Sequence, residues 1–290
     1  MATFDRITII FNPNSTGDSP AMARELSTQL AERLPSVAVR VRETQHAGHA
    51  EELARAAARA VRRPLIISVS GDGGYHEVVN GVMAAGNPHA VCAVHGAGNA
   101  NDHRSATREQ PLIEAIVDGK TSNFDILKLE TADGLLRYAH SYIGLGISPA
   151  VALELNRHEL HGFKEIVLAY KTFRAFKPFK IKVGNRRIRC DSLVCANISR
   201  MAKVLKLSDE TTPDDGRFEL ILSPHRSKAR LVITALRLIT LGAGHPPRLS
   251  TYTFETLEAM PIQLDGEVLE LAASSTLTVT ALKRVLNTLA

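Results

Sequence analysis

Residues 64–69, Pro-Leu-Ile-Ile-Ser-Val, are apolar almost without a break and run straight into Ser70-Gly71-Asp72-Gly73-Gly74, after which a helical pattern takes over. A short continuous apolar run of this kind is what a strand buried on both faces requires. Parallel strands need crossover helices between them, and the flanking sequence supplies the same alternation. Residues 6–11 read as a strand ending at Asn12-Pro13. Residues 20–33 read as a helix with Ser19 as N-cap and Pro20 at its first position. Residues 37–42 read as a second strand, 49–62 as an Ala-rich helix, 75–84 as a helix and 90–94 as a fourth strand followed by another Gly-rich turn. The expectation is an α/β domain with a parallel sheet, helices on both faces and ligand loops at the carboxyl ends of the strands.

After residue 124 the pattern changes. Strand-like segments cover 124–131, 134–143, 180–183, 187–198, 217–222, 252–257 and 262–264, with helical runs at 162–176 and 227–241. Strands separated by turn signals predict a mainly antiparallel β-sandwich. The expected organisation is therefore α/β plus all-β, residues 1–128 and 129–290, with the last residues returning to the first domain. A chain of 290 residues suits about two domains.

Composition narrows the function classes. Apolar residues at 44% and charged residues at 22% suit a globular protein. The longest weakly polar run, 231–244, is interrupted by Arg237 and falls short of the roughly 20 residues a spanning helix needs. The N-terminus reads as a first strand, not a signal peptide. Cys92, Cys190 and Cys195 lack metal-site spacing and read as buried thiols in a reducing cytosol. The net charge of +5 and a pI near 9.2 are mildly basic and permit anionic partners such as a nucleotide, phosphate or an acidic lipid surface without selecting one. Nucleic acid is disfavoured, because Trp is absent and aromatics reach only 5%.

The chemistry concentrates in loops. In the 70–74 segment, glycines allow close backbone approach, and free N–H groups at a helix N-terminus attract phosphate. An acid there repels phosphate unless a metal or a reacting hydroxyl lies between them, so Asp72 reads as an Mg²⁺ contact or a base. The same loop is also compatible with an ordinary tight turn in which Asp72 caps the helix. Two further loops, 11–17 (Phe-Asn-Pro-Asn-Ser-Thr-Gly) and 95–102 (His-Gly-Ala-Gly-Asn-Ala-Asn-Asp), leave the same sheet edge. Neither the dinucleotide Gly-x-Gly-x-x-Gly pattern nor the P-loop pattern occurs.

Together, Asn12-Pro13, the Gly-Asp-Gly loop continued by His76-Glu77-Val78-Val79-Asn80-Gly81, and Gly96-Ala97-Gly98-Asn99 resemble the diacylglycerol kinase catalytic domain family, most closely its sphingosine-kinase variant. Asp214-Asp215-Gly216 and Asp265-Gly266-Glu267 match two later landmarks, so the resemblance extends from about residue 6 to 285. It implies a cytoplasmic, peripherally membrane-associated lipid kinase of phospholipid biosynthesis, with nucleotide in a cleft between two domains. It implies ATP and Mg²⁺, with transfer of the γ-phosphoryl group to a lipid hydroxyl. Carried over by position, Asn12, Pro13, Asn14 and Thr44 lie near the nucleotide. Ser70, Gly71, Gly73 and Gly74 shape one phosphate loop, and Gly96, Ala97, Gly98 and Asn99 the second. Glu77 is a nucleotide- or metal-side acid. Asp265 and Gly266 belong to the returning nucleotide motif. Asp72 and Glu267 compete for the role of base, and Asp215 matches a structural Mg²⁺ ligand.

The sequence departs from the family pattern in three places. Gly-Gly-Asp-Gly-Thr reads Ser70-Gly71-Asp72-Gly73-Gly74, which removes the threonine hydroxyl. The second loop has Ala97, or reads in an alternative register from Gly98 to Asp102. Where sphingosine kinases place an acid for the substrate amine, residues 149–152 read Pro-Ala-Val-Ala. A buried amine without a carboxylate is costly, so a neutral or anionic lipid alcohol such as diacylglycerol is expected over sphingosine, with Glu154 the nearest substitute. Lys171, Arg174, Lys177, Lys180, Lys182, Arg186, Arg187 and Arg189 form a basic run with Phe173, Phe176 and Phe179 among them. This run reads either as a lipid-docking surface or as a solvated face over a Phe-packed core. His46/His49 and His158/His161 are i, i+3 pairs with no evident third ligand. Alternative readings are a kinase of a soluble alcohol such as NAD, and a silent nucleotide- or lipid-binding protein. The oligomeric state is open, a homodimer included.

Overall fold

The structure is a computed structural model that describes residues 3–15, 17–96, 110–147, 177–198, 200–201, 205–206, 212–227 and 244–289. The chain divides into two compact units, Met1–Ile126 with Leu282–Ala290, and Leu127–Ala281. The expected helix at 162–176, the expected helix at 227–241 beyond its first residue Ser227, the loop from Ala97, Gly98 and Asn99 to Asp102, residues 149–154, Lys171 to Phe176, and His158/His161 lie outside the described residues.

In the first unit, β1 (Arg6–Phe11), α1 (Ser19–Arg33), β2 (Ala38–Glu43), α2 (His49–Ala60), β3 (Pro64–Ser70), α3 (Asp72–Ala85), β4 (Val91–Gly96) and α4 (Leu112–Asp118) follow in order. The strands are parallel and ordered β2-β1-β3-β4, in continuous register from Arg6↔Ala38 and Arg6↔Pro64 to Ser70↔Gly96. All seven residues of β3 are buried, as a central strand between two helical layers requires. On one face Ile7, Ile9, Leu65 and Ile67 pack with Ala23, Leu26 and Leu30 of α1 and Ala115 and Ile116 of α4. The crossing of α2 and α3 depends on small residues. A Cβ at Gly81 would stand 2.2 Å from the Glu51 carbonyl oxygen and 2.9 Å from the Ala54 Cβ. The end of the chain adds Thr288 beside Cys92, parallel to β4.

The second unit holds the end of β5 (Thr121–Thr131), then β6 (Leu136–Ala139), β7 (Tyr142–Gly146), β8 (Phe179–Val183), β9 (Arg186–Ala196), β10 (Arg200–Met201), β11 (Leu205–Lys206), β12 (Phe218–Pro224), β13 (Arg248–Leu249), β14 (Thr251–Thr256), β15 (Met260–Leu264), β16 (Glu267–Leu271) and the start of β17 (Thr276–Leu289). Among the described residues, strands of this unit pair antiparallel at β6 with β5, β7 with β9 and β15, β8 with β9 and β14, β9 with β12, and β14 with β17. The main path is β16-β15-β7-β9-β8-β14-β17, and β12 also pairs with β9. Leu127, Ile143, Leu145, Ile181, Leu193, Phe218, Phe254, Ile262 and Val279 share one core. No described helix is long and apolar enough to cross a membrane.

Several expectations are corrected. The first helix is capped by Asp18, whose carboxylate accepts the Ala21 N–H at 3.1 Å. Ser19 is already helical and buried, and its hydroxyl donates to the Asn12 carbonyl. The helix after the glycine loop begins at Asp72, not at residue 75, so Asp72 does not cap it; the N-cap is Gly71. The stretch 134–143 is two strands, because buried His140 and Ser141 turn the chain between β6 and β7. Helix α4 and strands β16 and β17 have no counterpart in the sequence reading.

Candidate active site

Register sets the site of the first unit. Phe11 lies beside Glu43 and Val69, and Ser70 beside Gly96. The segments starting at Thr44, Asn12 and Gly71 therefore leave adjacent strands at one carboxyl edge, where β4 ends at Gly96. The Thr44 N–H extends the pairing to the Phe11 carbonyl at 2.9 Å. Asn12 turns the chain on itself, its Oδ1 accepting the Asn14 N–H at 2.9 Å and its carbonyl accepting the Ser15 N–H at 3.1 Å. Pro13 lies within that turn, half-buried.

The central loop is shaped by a side-chain exchange. A Cβ at Gly74 would lie 2.4 Å from the Ser70 Oγ and 2.7 Å from its Cβ. Ser70 thus fills the space that a larger residue at 74 would need. The hydroxyl missing at position 74 is present at position 70, buried and within 2.6 Å of the Ser68 hydroxyl and 3.0 Å of the Gly71 carbonyl. Asp72 stands half-buried in the first turn of α3, where the helix dipole favours negative charge. Gly73 lies within that turn.

Glu77 has a definite task. Its Oε1 accepts the Gly48 N–H at 2.9 Å and its Oε2 the Ala50 N–H at 3.1 Å. Helix α2 has Gly48 as N-cap, at φ 82 and without a side chain to cap it. A carboxylate from α3 therefore supplies the acceptors that the start of α2 lacks. Glu77 positions the 44–50 segment. His76 and Asn80 are buried and bond to each other at 3.2 Å, so they order α3 from inside.

In the second unit, Asp265 and Gly266 form the two-residue turn between β15 and β16, at φ 50 and 103, the left-handed conformation such hairpins use. The Asp265 carboxylate is buried. It accepts the His140 and Ser141 N–H groups at 2.8 Å each and that of Tyr142 at 3.0 Å. This binds the β15–β16 turn to the β6–β7 corner and presents Glu267, exposed, at the start of β16. Asp215 is held by donors of the protein. Its Oδ2 accepts from Arg248 and from the Thr212 hydroxyl, the latter at 2.8 Å, and its Oδ1 accepts the Arg217 N–H at 2.9 Å. Arg248 also lies 3.4 Å from the buried Glu219 carboxylate.

Two clusters were not legible in the sequence. Glu52 joins His46 and His49, with ligand atoms within 4.8 Å of one another. However, His49 Nδ1 accepts the Gln45 N–H at 3.0 Å, which leaves the proton on Nε2, so this ring is not set up to ligate. Buried Asp191 pairs with His225 at 2.8 Å. All three cysteines are buried thiols. Burial pushes the Cys92 thiol up to about 12, and burial followed by the charge of Asp191 pushes Cys190 up to about 11.

Residues 6–129 match the family model described as "Diacylglycerol kinase catalytic domain". The fold is shared with solved structures from Bacillus anthracis str. Sterne. One, described as "a putative diacylglycerol kinase", is 18% identical, with 99% of this chain and 97% of that one covered and a TM-score of 0.73. Another, described as a diacylglycerol kinase, is 18% identical with the same coverage, 99% and 97%, and a TM-score of 0.72. No curated protein matches the sequence. The resemblance read from the motifs is thus borne out over residues 6–129; beyond them the likeness is one of fold.

Two outcomes test this local geometry. Gly74→Ala should cost about 1–3 kcal/mol in urea denaturation through overpacking, and much less in a Ser70→Gly background. Equal costs in both backgrounds would contradict the exchange. Glu77→Ala should lower stability by about 2 kcal/mol without any metal or nucleotide present. An unchanged denaturation midpoint would contradict its capping role.

Proposed function

Since residues 6–129 carry the pattern of a diacylglycerol kinase catalytic domain, we propose that the protein is a lipid kinase that transfers the γ-phosphoryl group of ATP to a lipid hydroxyl. The observation that carries this reading is the alignment of Thr44, Asn12–Asn14, the 70–74 loop and Gly96 along one edge of β2-β1-β3-β4. Backbone N–H groups of that edge and of the α3 N-terminus bind the phosphates. Ala97, Gly98 and Asn99 contribute the second phosphate loop. Mg²⁺ suits a carboxylate and phosphate oxygens, and Asp72 is the acid on the phosphate loop with which it would be shared; when bound, the ion neutralises phosphate charge. Glu77, Asp265 and Asp215 have both carboxylate oxygens committed to protein donors, which supports positioning roles for them.

In the reaction the lipid hydroxyl oxygen bonds to the γ-phosphorus, the bond to ADP breaks, and the hydroxyl proton passes to a carboxylate. Asp72 and Glu267 are the two candidates. Catalysis by such a site is chiefly positioning and charge stabilisation. The acceptor proposed is diacylglycerol or a related lipid alcohol, because the sequence at 149–152 offers no carboxylate for an amine. The enzyme then acts from the cytoplasm at a membrane surface. The Ser70–Gly74 exchange gives the missing threonine a steric reason, which removes one motive for reading the protein as silent.

Asp72→Asn should leave the fold intact, with a thermal midpoint lowered by no more than the lost helix-dipole interaction, and reduce kcat by about 10²–10⁴-fold. Turnover retained in that variant would remove Asp72 from the reaction and leave Glu267 as the base.

A further inference from the structure

The β8–β9 hairpin gathers positive charge on one face. Its register sets Lys180 opposite Arg189 and Lys182 opposite Arg187, and residues directly opposite in an antiparallel pair project to the same side. Phe179, Ile181 and Cys190, which alternate with them, are buried. The four cations therefore occupy the outer face, with Lys180, Arg187 and Arg189 exposed and Lys182 partly so. Arg186 is exposed at the turn and Lys177 just before the hairpin. Two carboxylates approach. Glu255 on the neighbouring β14 pairs with Lys182 at 2.9 Å, and Glu258 accepts the Lys180 backbone N–H at 3.2 Å. Among the described residues, the side chains of Lys180, Arg187 and Arg189 have no carboxylate partner.

Like charges directly opposite in a sheet are destabilising. The Lys180–Arg189 pair opposes folding, the Lys182–Arg187 pair less so because Glu255 offsets part of its charge, and an anionic surface laid on the face would remove the repulsion. We infer that the outer face of the β8–β9 hairpin docks on an anionic membrane surface. The choice of partner rests on the lipid-kinase reading, since a lipid acceptor is held in a bilayer. A cationic sheet face suits a layer of anionic headgroups. Phe179, which the sequence offered as a side chain to insert, is core, so docking through this hairpin is electrostatic and screened by salt. The protein has no Trp and little aromatic surface for stacking bases, which disfavours nucleic acid.

The test is co-sedimentation of the full chain, without ATP, with vesicles of phosphatidylcholine alone or with added phosphatidylglycerol. The comparison variant is Lys180→Gln/Arg187→Gln/Arg189→Gln, which keeps the Lys182–Glu255 pair. At about fivefold per cation near the surface, binding to the anionic vesicles should weaken about a hundredfold in the variant and fall with added salt in the wild type. The variant should melt no lower than the wild type, because the like-charge pairs are gone. Equal binding to both vesicle types, an unchanged variant, or preference for single-stranded RNA over anionic vesicles would each overturn the inference. Because ATP is absent, these results are separate from the kinase assay. Vesicle binding without phosphorylation of any acceptor would count against the function and not against the docking face.

Discussion

A strand buried on both faces can satisfy its backbone only through its two neighbours, and β3 is such a strand over its whole length. That constraint fixes β1 and β4 in register beside it and forces crossover helices onto both sides of the sheet. Two of the candidate segments then leave one edge at adjacent points without further instruction, and β2 brings the third. The glycines and the acid at the end of β3 sit where they do because the strand before them has no other place to go.

Carboxylates do much of the remaining positioning. Glu77 caps a helix from a neighbouring helix, Asp265 gathers three consecutive N–H groups at a corner, Asp215 pairs with Arg248, and Asp191 holds His225. A hydrogen bond to an ionised group is stronger than a neutral one, and a partly buried one is less screened by salt. The consequence is that several motif acids order the loops and turns in which they sit.

The parallel half of the fold was legible because its signals are local: apolar runs, Gly-rich turns and helix periodicity recur in order. What escaped the sequence depends on partners distant in the chain. Asp18 and Ser19 are both good caps, and only the bond from Ser19 to Asn12 decides between them. The alternation of β17 holds from Thr276 to Ala281 and then breaks at Lys283–Val285, where Arg284 takes φ 54 and gives its N–H to Asp125. The reason for Gly74 lies in Ser70, four residues back, and the task of Glu77 lies in Gly48 and Ala50, on another helix. Motif spacing marked these residues but not the distant partners that hold them.

The most direct measurement is phosphoryl transfer from labelled ATP, with Mg²⁺, to a mixed-micelle panel of diacylglycerol, monoacylglycerol, ceramide, sphingosine and phosphatidylglycerol, with NAD as the soluble member. The account predicts a labelled lipid product, with diacylglycerol or another uncharged or anionic lipid alcohol as the best acceptor. Label on NAD alone, or ATP bound with no acceptor phosphorylated, would contradict it.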